Sequence, residues 1–343
     1  MRIVSLAEIQ AAIAPEAAVE AVKAGFIAHA KGLVHCPEPT QIVFRDEGQE
    51  QHGECHVKSA TWSGNPYVAV KIASGSYRNA ARGLPGAGGM VLLISADTGL
   101  PVALLHDECW LTNVRTAAAG ALAAGLKPVP RNATLGVIGT GTQAEMQAGM
   151  ICAHLGLSSV AVWGRSVEKA AALGDRLRAR GLAATPMGTV REVCHASAVL
   201  VTTTPATSPV VQLEDVPETL HIVAVGADTP GKTELDPRIL GRAHTIVTDA
   251  HQECLSNSDF GAAVRAGEIA EDCDCSFGEM LALAEPDPRM AQDGISIVDL
   301  TGMGVQDLAI ASMTLEALAD QAVAAARSGR TLGCRAGIAV GEE

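Results

Sequence analysis

The chain has 343 residues, which at roughly 150 residues per domain predicts about two domains. Apolar residues make up 48% of it and charged residues 18%, a balance that excludes a disordered or collagen-like chain. The net charge of −13 comes without a basic patch, so we expect neither nucleic acid nor an anionic membrane as a partner. A small anionic ligand remains compatible, because a pocket can be locally positive in an acidic protein.

The first ten residues lack the charged-then-apolar pattern of a secretion signal, and no apolar run has the roughly 18 residues that a membrane span needs. Nine cysteines are scattered without framework spacing. The tight pair Cys273 and Cys275 has no second pair to complete a zinc site. We therefore expect a reduced, cytoplasmic protein without a metal.

The first hundred residues are predicted to form an α+β unit. Ser5 and Glu8 have the spacing of a capping box, and residues 16–31 carry apolar side chains at helical spacing. Extended runs follow at 41–44, 54–58, 67–72, 90–94 and 102–105, and the last two are joined by the turn at Asp97-Thr-Gly99. The pattern predicts a hairpin within a mostly antiparallel sheet.

Beyond residue 130, short apolar strands alternate with helices. Strands are predicted at 134–138, 160–163, 198–202, 220–225, 245–248 and 295–299, with helices at 112–126, 143–155 and 166–180. This alternation predicts an α/β fold with a doubly wound parallel sheet of the Rossmann type. An Ala-rich helix at 307–327 is expected to pack back on the first unit. The predicted domains are a substrate and dimerisation domain (1–118 with 312–343) and a dinucleotide-binding domain (119–311).

A glycine-rich loop follows the strand at 134–138. Gly139 allows a tight turn, Gly141 lets the backbone approach a pyrophosphate, and Ala144 is small enough for close packing of helix on strand. The next helix, which starts near Thr142 and Gln143, directs free N–H groups at a phosphate. A strand, loop and helix in this order predict a dinucleotide site, the alternative being an ordinary glycine-rich loop.

The second strand ends at Gly164, Arg165 and Ser166, where an NAD site usually carries an acidic residue for the ribose. Arg165 and Ser166 are expected to hold a 2′-phosphate, which favours NADP(H) over NAD(H). The alternative is that Arg165 is solvated and Ser166 only caps the next helix.

Four further segments accompany this loop in order. They are Val-Lys71-Ile-Ala-Ser-Gly, Thr-Asn-Val-Arg115-Thr-Ala, Gly-Ala-Asp228-Thr-Pro-Gly and Asp-Leu-Thr301-Gly-Met-Gly. With them the chain resembles the ornithine cyclodeaminase/μ-crystallin family over nearly its whole length. The segments around Arg115 and Asp228 are the most specific, since a Rossmann fold alone does not require them.

The resemblance implies hydride transfer at the α-carbon of an amino acid. It assigns the substrate carboxylate to Arg115 and Lys71, with Lys71 also assisting proton transfer, and it assigns proton transfer at the substrate nitrogen to Asp228. The cofactor contacts beyond the loop are implied for Thr116, Thr203, Thr204, Val225, Gly226, Asp228, Thr301 and Gly302. It also implies a homodimer built from the first domain and the tail helix. Without it, Lys71 would be a lysine snorkelling from an apolar strand, Arg115 a solvated or dimer-contact residue, and Asp228 a turn residue.

The chain departs from the family at two positions. Many members carry an arginine that binds the substrate carboxylate after a proline pair, where this chain has Gln41, so Gln41 is expected to contact the substrate. Many members also carry a Met-Pro-Ala segment where this chain has Lys58-Ser-Ala. Lys58 is expected to replace the missing arginine or to bind a second acidic group. An additional lysine argues against a substrate with a side-chain ammonium, such as ornithine. Lys232 and Glu234 are expected to form a local salt link, and His56 to be structural.

The favoured function is an NAD(P)H-dependent imino-acid (ketimine) reductase or amino-acid dehydrogenase. A cyclodeaminase, a lyase that releases ammonia from a diamino acid, is the alternative that Asp228 favours. A non-catalytic ligand-binding protein of the μ-crystallin type is the third possibility. The joint presence of Lys71, Arg115 and Asp228 argues against it.

Overall fold

The computed structural model describes residues 1–327, which form two sheets with helices packed on them. The first part of the chain contains β1 (Arg2–Ser5), α1 (Leu6–Ala12), α2 (Ala18–Ala30), β2 (Val34–His35), β3 (Thr40–Arg45), β4 (Gln51–Trp62), β5 (Tyr67–Ser76), β6 (Ala87–Ser95) and β7 (Pro101–His106). Its sheet runs in the order β1-β7-β6-β5-β4-β2, and β3 also pairs with β4.

The predicted antiparallel sheet is confirmed, including the hairpin of β6 and β7. The capping box of Ser5 and Glu8 is present at the start of α1. β1 was not predicted. It is four residues long and joins the sheet edge parallel to β7, a pairing that depends on a strand about 100 residues away.

The second part of the chain alternates strands and helices. It contains α3 (Trp110–Ala124), β8 (Thr134–Ile138), α4 (Thr142–Leu155), β9 (Ser159–Trp163), α5 (Val167–Ala179), β10 (Ala183–Pro186), α6 (Val190–Ala196), β11 (Val199–Thr202), β12 (Thr207–Val211), β13 (Leu220–Ala224), β14 (Thr233–Leu235), α7 (Pro237–Arg242), β15 (Ala243–Thr248), α8 (His251–Asn257), α9 (Asp259–Ala266), β16 (Cys275–Ser276), α10 (Phe277–Ala282), β17 (Ile295–Asp299) and α11 (Gly304–Arg327).

The second sheet runs in the order β10-β9-β8-β11-β13-β17-β15-β16, and every adjacent pair is parallel. The predicted Rossmann-type sheet is thereby confirmed. Strand order reverses between β8 and β11, and ligands of such sheets bind in the crevice at the carboxyl ends of the strands there. β12 and β14 form a separate two-stranded sheet that the sequence did not predict.

α11 packs along β4, β5 and α2, as predicted for the tail helix. It lies so close to β4 that a Cβ on Gly304 would collide with the backbone of Ser59. The predicted domain boundaries, after residues 118 and 311, fall inside α3 and α11, which are continuous helices that join the two layers. Residues 328–343 of the predicted first domain lie outside the described residues. No helix within 1–327 has the length and apolar character to span a bilayer.

Candidate active-site cleft

A cavity of about 340 Å³ lies between the inner face of the first sheet and the carboxyl edge of the second. β4, β5 and α3 supply one wall, and the segments that follow β11, β13 and β17 supply the other. The cavity therefore lies at the crevice where a doubly wound sheet binds its ligands.

Two lysines stand side by side on the inner face of the first sheet. Lys58 of β4 and Lys71 of β5 are direct partners in the antiparallel ladder, so their side chains emerge on the same face. They are only 8% and 3% exposed, and both line the cavity. Neither snorkels to solvent, and a buried ammonium of this kind requires an anionic or hydrogen-bonding partner.

Asp307 of α11 is the anionic partner of Lys71 and of Arg115, a buried residue of α3. Arg115 donates Nε–H to Asp307 Oδ1 at 3.1 Å and Nη1–H to Gln306 Oε1 at 2.9 Å. Lys71 Nζ lies 3.8 Å from Asp307 Oδ2. Burial lowers the pKa of Lys71, and the Asp307 carboxylate opposes this effect. Arg115 Nη2 has no hydrogen-bond partner within residues 1–327, which leaves it available to a ligand.

Lys58 has a different set of partners. Its Nζ donates to Glu253 Oε1 at 2.5 Å, to the carbonyl oxygen of Thr301 at 3.3 Å and to that of Gly302. An ammonium has three N–H bonds, so all of its donors are engaged. Lys58 lines the cavity, where the sequence analysis expected it to replace the missing arginine or to bind a second acidic group, but Glu253 and the two carbonyl groups already occupy its donors.

Asp228 follows β13, and its side chain is 47% exposed at the cavity. Lys232 donates to its Oδ1 at 2.7 Å. Partial removal of water raises the pKa of Asp228, but the Lys232 ammonium outweighs this and holds the pKa below its ordinary value. The expected salt link of Lys232 with Glu234 was wrong, because Lys232 pairs with Asp228 instead.

Glu234 is fully buried beneath the cavity wall. It accepts hydrogen bonds from Thr202 Oγ1 at 2.7 Å, Thr204 Oγ1 at 2.8 Å and the Gly226 N–H at 2.7 Å, so it joins the segments that follow β11 and β13. Burial, with the charge of Asp259, raises the pKa of Glu234 to about 7. The sequence did not predict that Glu234 supports the cavity wall, because its partners Thr202, Thr204 and Gly226 belong to β11 and to the segments that follow β11 and β13.

The glycine-rich loop fits a dinucleotide. Gly139 has φ +129°, and a Cβ there would collide with the Thr203 hydroxyl. Gly141 precedes α4 with open space where a Cβ would be, and no side chain caps the helix. Ala144 is fully buried. Open space and uncapped N–H groups at a helix start are the features that a pyrophosphate requires.

Arg165 and Glu168, a cation and an anion, lie in the segment that follows β9. Arg165 is exposed and has no ion pair within residues 1–327. Ser166 Oγ accepts from the Lys169 N–H at 3.2 Å and donates to Glu168 Oε2 at 2.7 Å. Ser166 therefore caps α5, which was the alternative that the sequence analysis left open. Glu168 adds a carboxylate beside Ser166 that the sequence analysis did not consider. Gly164 packs against the Thr140 side chain.

Most of the predicted residues meet at the cavity. Those that line it are Lys58, Lys71, Arg115, Thr116, Gln143, Thr203, Thr204, Val225, Gly226, Asp228, Thr301 and Gly302. The residues Gly139, Gly141, Thr142 and Ala144 form the adjoining loop. Gln41 is not among the lining residues. It is exposed on β3 and donates to Glu54 at 2.9 Å, and its ladder partner His56 lines the cavity instead.

Comparison with known proteins gives the family. A sequence profile of the ornithine cyclodeaminase/mu-crystallin family matches residues 2–322. The chain belongs to this family. It is 34% identical to an uncharacterized cyclodeaminase of Sinorhizobium fredii over 80% of this chain and 83% of that protein.

Two solved structures have the same fold over almost the full length. An archaeal alanine dehydrogenase dimer with bound NAD superimposes with a TM-score of 0.85 at 30% identity, covering 94% of this chain and 97% of the other. The iminosuccinate reductase of Paracoccus denitrificans in complex with NAD+ gives a TM-score of 0.82 at 28% identity, covering 94% and 98%.

Proposed function

We propose that this protein is an NAD(P)H-dependent oxidoreductase that acts at the α-carbon of a small amino or imino acid, as an imino-acid reductase or amino-acid dehydrogenase. The observation that carries the proposal is the pair of buried cations, Arg115 and Lys71, which share Asp307 beside the carboxyl edge of the Rossmann sheet. Two of the similar structures are of an alanine dehydrogenase and an iminosuccinate reductase, which supports the same chemistry.

Arg115 and Lys71 would bind the substrate carboxylate. Two cations and one carboxylate, Asp307, leave one positive charge in this part of the cleft. A single substrate carboxylate neutralises that charge, and the planar guanidinium can present Nη2 to it. Binding the carboxylate fixes the α-carbon relative to the protein, and such orientation lowers the activation barrier.

Asp228 would hold or remove the proton at the substrate nitrogen. Because Lys232 keeps its pKa low, Asp228 is ionised at neutral pH. An ionised carboxylate stabilises a protonated imine and accepts a proton from an amine. Lys232 thereby sets the charge state in which Asp228 acts.

The glycine-rich loop and the segments after β11 and β13 would hold the cofactor, through Gly139, Gly141, Thr142, Thr203, Thr204 and Gly226. The bound nicotinamide supplies or accepts the hydride. Arg165 favours NADP(H), whereas Glu168 beside Ser166 favours NAD(H), so both forms of the cofactor belong in the assays.

A cavity of about 340 Å³ is small for a ligand pocket, which favours a short substrate side chain.

Cyclodeamination is the second candidate, and the specific observation that favours it is Asp228 at the cavity. In that reaction a side-chain amine of the substrate attacks the imine and ammonia leaves. The two buried cations oppose the second ammonium of a diamino acid, so we rank this activity below the reductase.

The outer face of the first sheet supports a homodimer. Val70, Ile72, Leu92 and Leu104 alternate with the buried inner residues, yet they remain half-exposed in one copy of the chain. An apolar sheet face of this kind usually packs on a partner. Light scattering on a size-exclusion column tests the homodimer, and a monomer at micromolar concentration would contradict it.

Free thiols at the described cysteines support a reducing, cytoplasmic location.

The first experiment follows absorbance at 340 nm. NADPH and NADH are tested with imines formed from ammonia and pyruvate or oxaloacetate and with cyclic imino acids, while ornithine and lysine are tested with NAD for ammonia release. Loss of reduced cofactor in a 1:1 ratio to the imine is the expected result. Ammonia with a cyclic amino acid and no net cofactor change would instead establish the cyclodeaminase.

A further inference from the structure

The loop that follows β17, residues 300–303, is held from both sides of its backbone. Asp249 accepts hydrogen bonds from the Thr301 N–H at 3.1 Å, the Thr301 hydroxyl at 3.1 Å and the Gly302 N–H at 2.7 Å. The carbonyl groups of the same two residues accept from Lys58. An anion thus holds the N–H side of the loop, and a cation holds the carbonyl side.

Asp249 and Lys58, which bind the two sides of the loop backbone, are supplied by different sheets. Asp249 follows β15 of the Rossmann sheet, whereas Lys58 belongs to β4 of the first sheet. Lys58 therefore connects the two sheets through the loop. The loop also packs on the proposed carboxylate site, because Gly302 has φ +80° and a Cβ there would collide with the Arg115 guanidinium.

Glu253 of α8 gives Lys58 its counter-charge. The side chains are 10% and 16% exposed, and their charged atoms lie 2.5 Å apart. Burial raises the pKa of Glu253, and the Lys58 ammonium opposes this effect. Removing one member of such a pair leaves a buried charge without a partner, whereas removing both does not.

We propose that Lys58 is a positioning residue that fastens the Thr301–Gly302 loop to the first sheet, with Glu253 as its counter-ion, and that it does not bind the substrate. The proposal rests on the proposed function in one respect, namely that the loop borders the site where cofactor and substrate meet. Its consequence is that Arg115 is held between Asp307 and a loop that Lys58 fixes in place. Lys58 then affects turnover by holding the cleft together and leaves the choice of substrate to other residues.

The first test needs no turnover. In the cofactor-free protein, K58M is expected to accelerate hydrogen exchange at the Thr301 and Gly302 amides about tenfold, because their loop loses its hold on the first sheet. K58M and E253Q should each lower the melting temperature, and K58M/E253M should recover most of the loss. Lys127 offers a matched control, since it too is buried and donates to two carbonyl groups, those of Met290 and Gln292. K127M should leave exchange at 301 and 302 unchanged.

The second test compares imines with one and two carboxylates, formed from ammonia with pyruvate or with oxaloacetate. The ratio of the two kcat/KM values should be the same in wild type, K58M and E253Q, even where both values fall. A preference for the second carboxylate that disappears in K58M and grows in E253Q would show that Lys58 binds substrate, and would overturn the proposal. Unchanged exchange at 301 and 302 in K58M would also overturn it. If no imine is reduced at all, the proposed function fails while exchange and melting still test Lys58.

Discussion

The two walls of the cleft achieve binding by different physical means. The glycine-rich loop, which adjoins the cavity and is called the loop wall below, offers open space at Gly141 and uncapped N–H groups at the start of α4, and none of its residues 139–144 is charged. The opposite wall presents Lys58, Lys71 and Arg115, each less than 10% exposed. The first wall suits a ligand through shape and dipoles, and the second through full charges.

The charged wall is stable only because the protein supplies its own anions. Asp307 and Glu253 lie next to the three cations, and each buried charge would otherwise be strongly unfavourable. The loop wall needs no such counter-ions, because its residues 139–144 are uncharged. Substitutions on the charged wall should therefore change stability and activity together, while those on the loop wall should mainly change cofactor binding.

The largest effect is expected for Arg115→Lys. Lysine keeps the charge opposite Asp307 but loses the planar guanidinium, so kcat/KM for the imino acid should fall about 10²–10³-fold. Cofactor affinity, measured by fluorescence titration, should stay within about twofold of wild type. Retained turnover in this variant would show that the substrate carboxylate binds elsewhere.

Asp307→Asn should affect both properties of the charged wall. Loss of the shared carboxylate leaves Arg115 and Lys71 without their anion, so the free energy of unfolding in urea should fall by about 3 kcal/mol. Asp307 raises the pKa of Lys71, so its removal lowers that pKa further, and the alkaline limb of the kcat/KM profile should move to lower pH. The exposed Asp320 of the same helix is the control, and D320N should change neither quantity. An unshifted alkaline limb would exclude protonated Lys71 from substrate binding.

Glu234 extends the comparison to a buried carboxyl group outside both walls, beneath the segments that follow β11 and β13. Its pKa is raised from 4.5 to about 7, so the folded protein keeps the proton over a range in which the unfolded chain releases it. The stability contributed by this group therefore falls as pH rises from about 4.5 to 7, by about 3 kcal/mol in all. Glu234→Gln should remove that slope from urea unfolding measured at pH 5, 6, 7 and 8. The exposed control E316Q should keep the slope of wild type. Parallel curves for wild type and E234Q would contradict the raised pKa.

The sequence predicted the loop wall better than the charged wall for a physical reason. The glycine-rich loop and the strands 134–138 and 295–299 are encoded by consecutive residues, so a local pattern is sufficient. The ion pairs join residues that are 192 and 195 positions apart, Arg115 with Asp307 and Lys58 with Glu253. No local pattern indicates such partners. The pairing across β4 and β5 that sets Lys58 beside Lys71 depends on strand register, which turn geometry determines.

The smallest predicted effect concerns the choice of cofactor at the edge of the loop wall. Arg165 has no ion pair in the described chain, so a 2′-phosphate would find an unopposed guanidinium, and Arg165→Ala should weaken NADP(H) binding about tenfold by calorimetry. NAD(H) binding should be unchanged within about twofold. Glu168 holds the Ser166 hydroxyl at 2.7 Å and would repel the same phosphate, so E168Q should strengthen NADP(H) binding. Tighter binding of NAD than NADP by the wild type would mean that Glu168, and not Arg165, decides the preference.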